Sequence, residues 1–482
     1  MWLRAWLGCL LVVLSGVLAG ATGDRLLVVV DQEVDKYSSF LESLDRSGYV
    51  VTTRDSSQVK SHASLFELGE RAYDHLVLLV PEMKKLQEGL SPQSLVDFAE
   101  KGGNLLVGLS PRLSEAWRDF AREFSLEFAE RDTMLVDHFG YDRKQDRGDH
   151  TAVLVGGKRA DFDAGGASNP QVFRESTLNA LQSQPFVFRG LAHWIGPNPL
   201  AFALLSPPAT AYESEVPTIT QVDGRYHLSG ISNLEPLSDV QNLLTGFDAS
   251  STDAQAALAS AIQLRANSAR VVFLGSVEML QNHLFGDPTR DVQRAVVEDI
   301  VAWTFQHSGV LRLHSSKHYR MRANDADNRP DYEEEVGVAT KMYRIKDHVH
   351  YILELQQLQG DDWVAAPTDL DLQLAVTMLD PYITLPLRAH VDGSFARYEG
   401  QLRLPDRHGV FTLRVNWKRH GWSYILAEDT IPVRPYNHDE YPRMLSSSWP
   451  YLAGAFSTML GFAVFTYLWM ALPVEKLNRK KE

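Results

Sequence analysis

Apolar residues fall along this chain in three rhythms. The first is the short unbroken run. Residues 26–30 (LLVVV), 76–80 (LVLLV) and 105–109 (LLVGL) are continuous apolar stretches between polar segments, the pattern of strands buried on both faces of a sheet. Helical spacing lies between them. Phe40, Leu41 and Leu44 share one face of a segment that ends near Gly48. Ser91-Pro92 supplies a cap and a first-turn proline, Leu95, Phe98 and Ala99 make an apolar face, and Gly102 ends the turn. Residues 270–276 (RVVFLGS) read as a later strand, covered by a helix bearing Val292, Ala295, Val296, Ile300 and Trp303. Strands alternating with helices predict an α/β region with a mostly parallel sheet and right-handed crossovers. Short strands are also expected at 152–155, 186–188 and 219–222, with loop at the Pro-rich stretch 206–210.

The second rhythm has period two. Val349, Tyr351, Leu353 and Leu355 alternate with more polar residues, as do Leu370, Leu372, Leu374, Val376 and Met378, and Phe411, Leu413, Val415 and Trp417. Turn residues separate these segments, as in an antiparallel β-sandwich. Between the two rhythms, residues 308–346 are polar and read as a connector containing a little strand.

The third rhythm is the long uncharged stretch, which occurs at both ends. Arg4 precedes an apolar run that closes on Ala19, Gly20, Ala21 and Gly23, the layout of a secretory signal peptide. Near the other end no charge occurs between Arg443 and Glu475, enough for a single transmembrane helix. Trp449 and Tyr451 at one end and Tyr467 and Trp469 at the other suit the two membrane interfaces. Ala453, Ser457 and Gly461 recur every four residues, a stripe on which a second helix could pack closely. The basic tail, with Arg479, Lys480 and Lys481, predicts a cytosolic C-terminus and resembles a dilysine-type retrieval signal. The expected organisation is signal peptide 1–23, lumenal α/β domain 24–307, connector 308–346, β-sandwich 347–435, juxtamembrane segment 436–448, transmembrane helix 449–472 and cytosolic tail 473–482.

Composition narrows the chemistry. With 61 acidic against 47 basic residues, the net charge is −14, which disfavours non-specific nucleic-acid binding. The single cysteine, Cys9, falls in the expected signal peptide, leaving no thiol chemistry and no disulfide in the mature chain. Phosphate-binding, nucleophile-elbow and zinc-helix motifs are absent, as is any Asn-x-Ser/Thr sequon; Asn267-Ser-Ala269 is the nearest. Three Asp-x-Asp pairs (161/163, 325/327, 369/371) and two His pairs (314/318, 348/350) have spacings found in cation sites. Solvated faces explain them as well. His193-Trp194 before Gly196-Pro-Asn-Pro199 could offer an indole to a sugar, although a core tryptophan leading into a turn fits better. No catalytic, cofactor or metal residue is assigned.

Several segments resemble one family along the whole chain: 267–276 (NSARVVFLGS), 309–312 (GVLR), 352–358 (ILELQQL) before Trp363-Val364, 404–406 (LPD) before 409–411 (GVF), and 433–435 (VRP) followed by Tyr441, Pro450-Tyr451, 455–457 and 459–461. They resemble the non-catalytic 48 kDa subunit of the eukaryotic oligosaccharyltransferase. The resemblance implies an amidotransferase-like α/β fold without its nucleophilic cysteine. It also implies a place in the endoplasmic reticulum membrane as a single-pass type I protein and an assembly role in protein N-glycosylation. The partners would be the other subunits, including a polytopic catalytic one, and the lipid-linked oligosaccharide donor, with no residues assigned to the latter. The competing readings are a membrane-anchored carbohydrate-binding receptor and an independent carbohydrate-processing enzyme.

Overall fold

The computed structural model describes residues 23–472 except 32, 57–58, 60–64, 84–87, 147, 159–162, 216–217, 223–224, 230–254, 322–341, 361, 380–381 and 442–445. Residues 1–22 of the expected signal peptide and the basic tail, with Arg479, Lys480 and Lys481, lie outside the described residues, as do Asp161 and the pair Asp325/Asp327.

The apolar runs become the centre of an eight-stranded sheet. Its strands are β1 (Arg25–Val30), β2 (Val50–Asp55), β3 (His75–Leu79), β4 (Asn104–Gly108), β5 (Gly166–Ala167), β6 (Ala201–Ser206), β7 (Ala259–Gln263) and β8 (Arg270–Leu274), in spatial order β5-β6-β7-β8-β4-β3-β1-β2. The pairs from β2 to β8 are parallel, whereas β8–β7, β7–β6 and β6–β5 are antiparallel. The expectation of a mostly parallel sheet is thereby corrected to a mixed one. The difference lies in the connections: β7 and β8 are joined by a tight turn containing Ser268 at φ 57°, and a turn of that length can only return the chain antiparallel.

Alternate residues of each run serve opposite faces. Leu26, Val28, Val30, Val77, Leu79, Leu106, Val272 and Leu274 pack with α1 (Ser38–Arg46) and with Val296, Ile300 and Trp303. Leu27, Val29, Leu76, Leu78, Leu105, Val107, Val271 and Phe273 pack with α2 (Pro92–Glu100) and α3 (Glu115–Arg122). The run is continuous because both faces are covered. The α2 cap is as expected: Ser91 Oγ accepts from Ser94 N at 3.2 Å, and Gly102 takes φ 91° just past the helix. α4 (Glu175–Ser183) and α5 (Asp291–Thr304) complete the layer on the first face.

The period-two region folds as two five-stranded sheets facing one another. One holds β9 (Leu311–Met321), β11 (His348–Gln359), β12 (Asp362–Ala365), β15 (Arg388–Asp392) and β16 (Phe395–Arg403). The other holds β10 (Tyr343–Arg344), β13 (Gln373–Thr377), β14 (Tyr382–Pro386), β17 (Gly409–Trp417) and β18 (Ile425–Arg434). Their inner faces meet in one core including Tyr351, Leu353, Tyr398, Phe411, Leu413 and Ile431. The stretch expected as a connector contributes the eleven-residue β9, paired along β11. Beyond the sandwich comes α6 (Trp449–Ala471), 23 residues with none buried. At 1.5 Å per residue its length is about 35 Å, enough to cross a hydrocarbon layer.

Candidate functional site

A dense set of buried hydrogen bonds lies where the α/β region meets the sandwich. β8 begins at Arg270, a fully buried arginine with no carboxylate among its hydrogen-bond partners. Its guanidinium donates to the carbonyls of Trp303 (2.5 Å), Ser308 (2.7 Å) and Gly309 (2.7 Å) and lies 4.4 Å over the Trp303 ring. Burial pushes its pKa down to about 9, so it still carries its charge at neutral pH. It therefore ties the end of α5 and the exit from the α/β region to the sheet.

The turn between β17 and β18 plugs into the same place. Trp303 Nε1 donates to Gly421 O at 2.8 Å, and Gln263 Nε2 to Trp422 O at 2.9 Å. Ser423 Oγ accepts from Leu311 N at 2.7 Å and donates to Leu311 O at 3.0 Å. His420 stacks on Phe202 at 4.6 Å. Gly309 is required here twice over: it sits at φ 65°, and a Cβ would stand 2.1 Å from Gly421 O. The segments 267–276 and 309–312, picked out in the sequence by resemblance, are thus the two sides of this joint. Asn267 spends its side chain on the carbonyls of Ala99 and Glu100, at the end of α2.

A cleft of about 570 Å³ opens beside the joint, with Arg46, Tyr49, Arg174, Asp299, His307 and Trp422 on its walls. Asp299 is already engaged by Arg174, through both the backbone N–H and the guanidinium. Burial raises the Tyr49 phenol above its ordinary range, which removes it as a base.

Elsewhere, buried titratable groups are sealed rather than presented. His193 Nε2 meets Ser260 Oγ at 2.7 Å, and both residues are fully buried. Burial pushes this histidine down to about 3; no substrate can reach the pair. His75 lies between Gly23 O and Asn104, stacked on Phe305 at 4.7 Å, and burial lowers it to about 4. Glu213 accepts from Ala192 N at 2.5 Å, and burial of its carboxyl raises it to about 8. None of these contacts is foreshadowed in the sequence, because each joins residues distant along the chain.

The weighed alternatives resolve as structural features. Trp194 is 3% exposed, in a short strand with His193, so it is a core tryptophan. His318 bonds the Tyr343 hydroxyl, His314 lies against Phe395, and His350 faces Glu399. Among the described residues no group of three or more His, Cys, Asp or Glu could hold a metal ion. On α6, Ser457 Oγ donates to Gly454 O at 2.9 Å, and Thr458 and Thr466 likewise bond carbonyls of their own helix, as polar side chains in an apolar medium require. Ala453, Ser457 and Gly461 lie exposed along it, as do Trp449, Tyr451, Tyr467 and Trp469 at its ends.

Comparison with known proteins agrees with this layout. A family model described as the OST48 N-terminal domain matches residues 18–307, and one described as the OST48 middle domain matches residues 327–473. The chain is 28% identical over 481 residues to a Caenorhabditis elegans protein named dolichyl-diphosphooligosaccharide–protein glycosyltransferase 48 kDa subunit, covering 96% of this chain and 95% of that one. It is 29% identical over 460 residues to the Schizosaccharomyces pombe subunit wbp1 of the same glycosyltransferase, covering 94% and 93%. The Drosophila melanogaster 48 kDa subunit is 27% identical over 474 residues, covering 95% and 93%. From the first strand to the apolar helix, the chain belongs to the OST48 family.

Proposed function

We propose that this chain is a non-catalytic, structural subunit of an oligosaccharyltransferase complex. That complex transfers a preassembled glycan from dolichyl diphosphate to asparagine in Asn-x-Ser/Thr of nascent proteins. The observation that carries the reading is similarity along nearly the full length of relatives named as subunits of that glycosyltransferase. The catalytic residues belong to another, polytopic subunit, and the sealing of the His193–Ser260 pair is in keeping with this.

In this reading the chain is a single-pass type I protein of the endoplasmic reticulum membrane. Residues 1–23 are its signal peptide, 24–307 and 347–435 its lumenal domains, 449–472 its span and 473–482 a cytosolic retrieval tail. The parallel half of the sheet is an amidotransferase-like core used as a scaffold. Ala453, Ser457 and Gly461 form the helix face that packs against a partner span. Extraction in mild detergent tests the proposal. A polytopic glycosyltransferase should co-purify with this chain, and recovery of a stable monomer without transferase activity in the fraction would overturn it. Gly461→Leu and Ser457→Leu should each weaken that co-purification, and unchanged recovery with both would refute the packing face.

A further inference from the structure

We propose that the end of the β-sandwich from which the chain leaves for the apolar helix rests directly on a lipid surface, through Leu379, Tyr382 and Val410. This builds on the single-pass reading above.

Strand pairing places these residues together. Val410 is the second residue of β17, opposite Pro432 near the end of β18, and Tyr382 opens β14 opposite Thr377. The loop after β13 joins them, since a Cβ on Gly409 would stand 2.6 Å from Met378 Sδ. Leu379 is 101% exposed, Tyr382 70% and Val410 59%. The next positions inward on this outer face, Thr377, Thr412 and Thr430, are uncharged and aligned by pairing. Only one row further does charge appear, as the Arg414–Glu428 pair at 2.7 Å. A face that turns from charged to apolar towards one end is graded as a surface that meets a membrane edge-on. Exposed Arg407 leads into Val410 at the same end, where a guanidinium suits lipid phosphates.

The tether says what lies there. Beyond β18 the chain does not run free. Glu440 is gripped by Arg434 at 2.6 and 2.8 Å and by Arg344 at 3.1 Å, and it accepts from Asn437 N at 2.8 Å. These partners, Arg434 first, hold its carboxyl well below the usual carboxylate range. Tyr436 and Tyr441 close edge to face at 5.6 Å. These contacts hold the chain to the sandwich as far as Tyr441. Eight steps at no more than about 3.5 Å each give a leash of at most about 28 Å to Trp449, the ring at the membrane boundary. A leash of this length keeps the apolar end of the sandwich over the bilayer, with the lipid surface within reach.

The test uses the full chain in its native complex, in nanodiscs containing headgroup-proximal nitroxide lipids. Cys9 is the only natural cysteine, so Leu379→Cys, Leu68→Cys and Tyr451→Cys can each carry an environment-sensitive fluorophore. Leu68, also fully exposed, lies in the α/β region. The expected result is loss of emission at 379 and 451 with none at 68. Loss at 451 but not at 379 overturns the lipid contact and leaves the span intact. In that case a blue-shifted, unquenched probe at 379 means a protein partner covers the patch, and a water-like spectrum means nothing does. No loss at 451 overturns the span and the lipid contact together.

Discussion

The two folded regions solve the burial problem in opposite ways. In the eight-stranded sheet, helices cover both faces, so strands such as β3 and β8 are buried at every residue. In the sandwich only the inner faces are covered, and β17 alternates strictly between buried core and outer surface along most of its length. The consequence is electrostatic. A strand with no outer face has nowhere to send a polar side chain, so the α/β region holds His75, His193, the Glu213 carboxyl and Arg270 inside and shifts their pKa values by desolvation. The sandwich sends many of its charges to the outer faces and pairs them, as at Arg414–Glu428, and the acids it does bury, Glu354 and Asp347, lie beside Arg397 and Arg344.

Arg270 is where the contrast is sharpest, because the polar interior of one region holds the other in place. Arg270→Leu leaves three buried carbonyls without donors and strips the charge from over Trp303, and it should cost about 3–5 kcal/mol even after relief of desolvation. Calorimetry of the detergent-solubilised chain should show the α/β and sandwich transitions separating. A single transition at the original temperature would mean that the joint does not depend on this residue. Next in size is a matched pair of core deletions. Phe411→Ala and Phe273→Ala, each 0% exposed, should each cost about 3–4 kcal/mol. Limited proteolysis should show the first loosening the sandwich while the sheet stays protected, and the second doing the reverse. Equal cleavage of both regions in either variant would erase the distinction.

The same contrast explains what could be read in the sequence. The central strands were legible because double-sided burial leaves an unbroken run, and the sandwich because single-sided burial leaves alternation. The antiparallel half of the sheet was not. β6 and β7 are rich in alanine, and β7 carries Ser260 and Gln263 inward, so their hydrophobic signal is weak. The sequence shows β9 only as a little strand within a connector, because a register shift between Leu313 and Ser315 breaks its alternation and an edge strand needs few apolar residues. At the joint, Arg270 looked like an ordinary polar start to a strand. Its partners lie 33 to 39 residues downstream, a distance over which no local pattern carries information. The core position of Trp194 was legible, since a tryptophan beside a turn is more often buried than presented.

Acid stability tests the comparison at smaller scale. His75 and His193 are held neutral, at about 4 and about 3 against an ordinary 6.5. Below 6.5 the unfolded chain takes up protons that the folded one refuses, so each histidine makes stability fall as pH drops. Glu213 works against them. Its folded value of about 8, against 4.5, means that stability is lost as pH rises between those values. Two histidines opposed by one glutamate leave a net slope of about 1.4 kcal/mol per pH unit between 4.5 and 6.5. Glu213→Gln removes the opposition and should steepen that slope towards twofold in chemical denaturation at stepped pH; an unchanged slope would mean that Glu213 is ionised in the folded protein. The sandwich adds a contribution of the same sign as the histidines, through a carboxylate. Its Glu354, lowered by Ser315 and Arg397, contributes stability above its unfolded pKa that is lost as pH falls.

The smallest effect belongs to the outer face. Arg414 and Glu428 are 47% and 45% exposed, and water solvates each almost as well as its partner does. Replacing either with alanine should change stability by no more than about 0.5 kcal/mol, and denaturant titration in 0.5 M salt should shrink even that. A larger, salt-resistant loss would place this pair in a buried environment. That would mean a partner covers the charged row of the outer face, and the division between a polar interior and a solvated exterior would then hold only for the isolated chain.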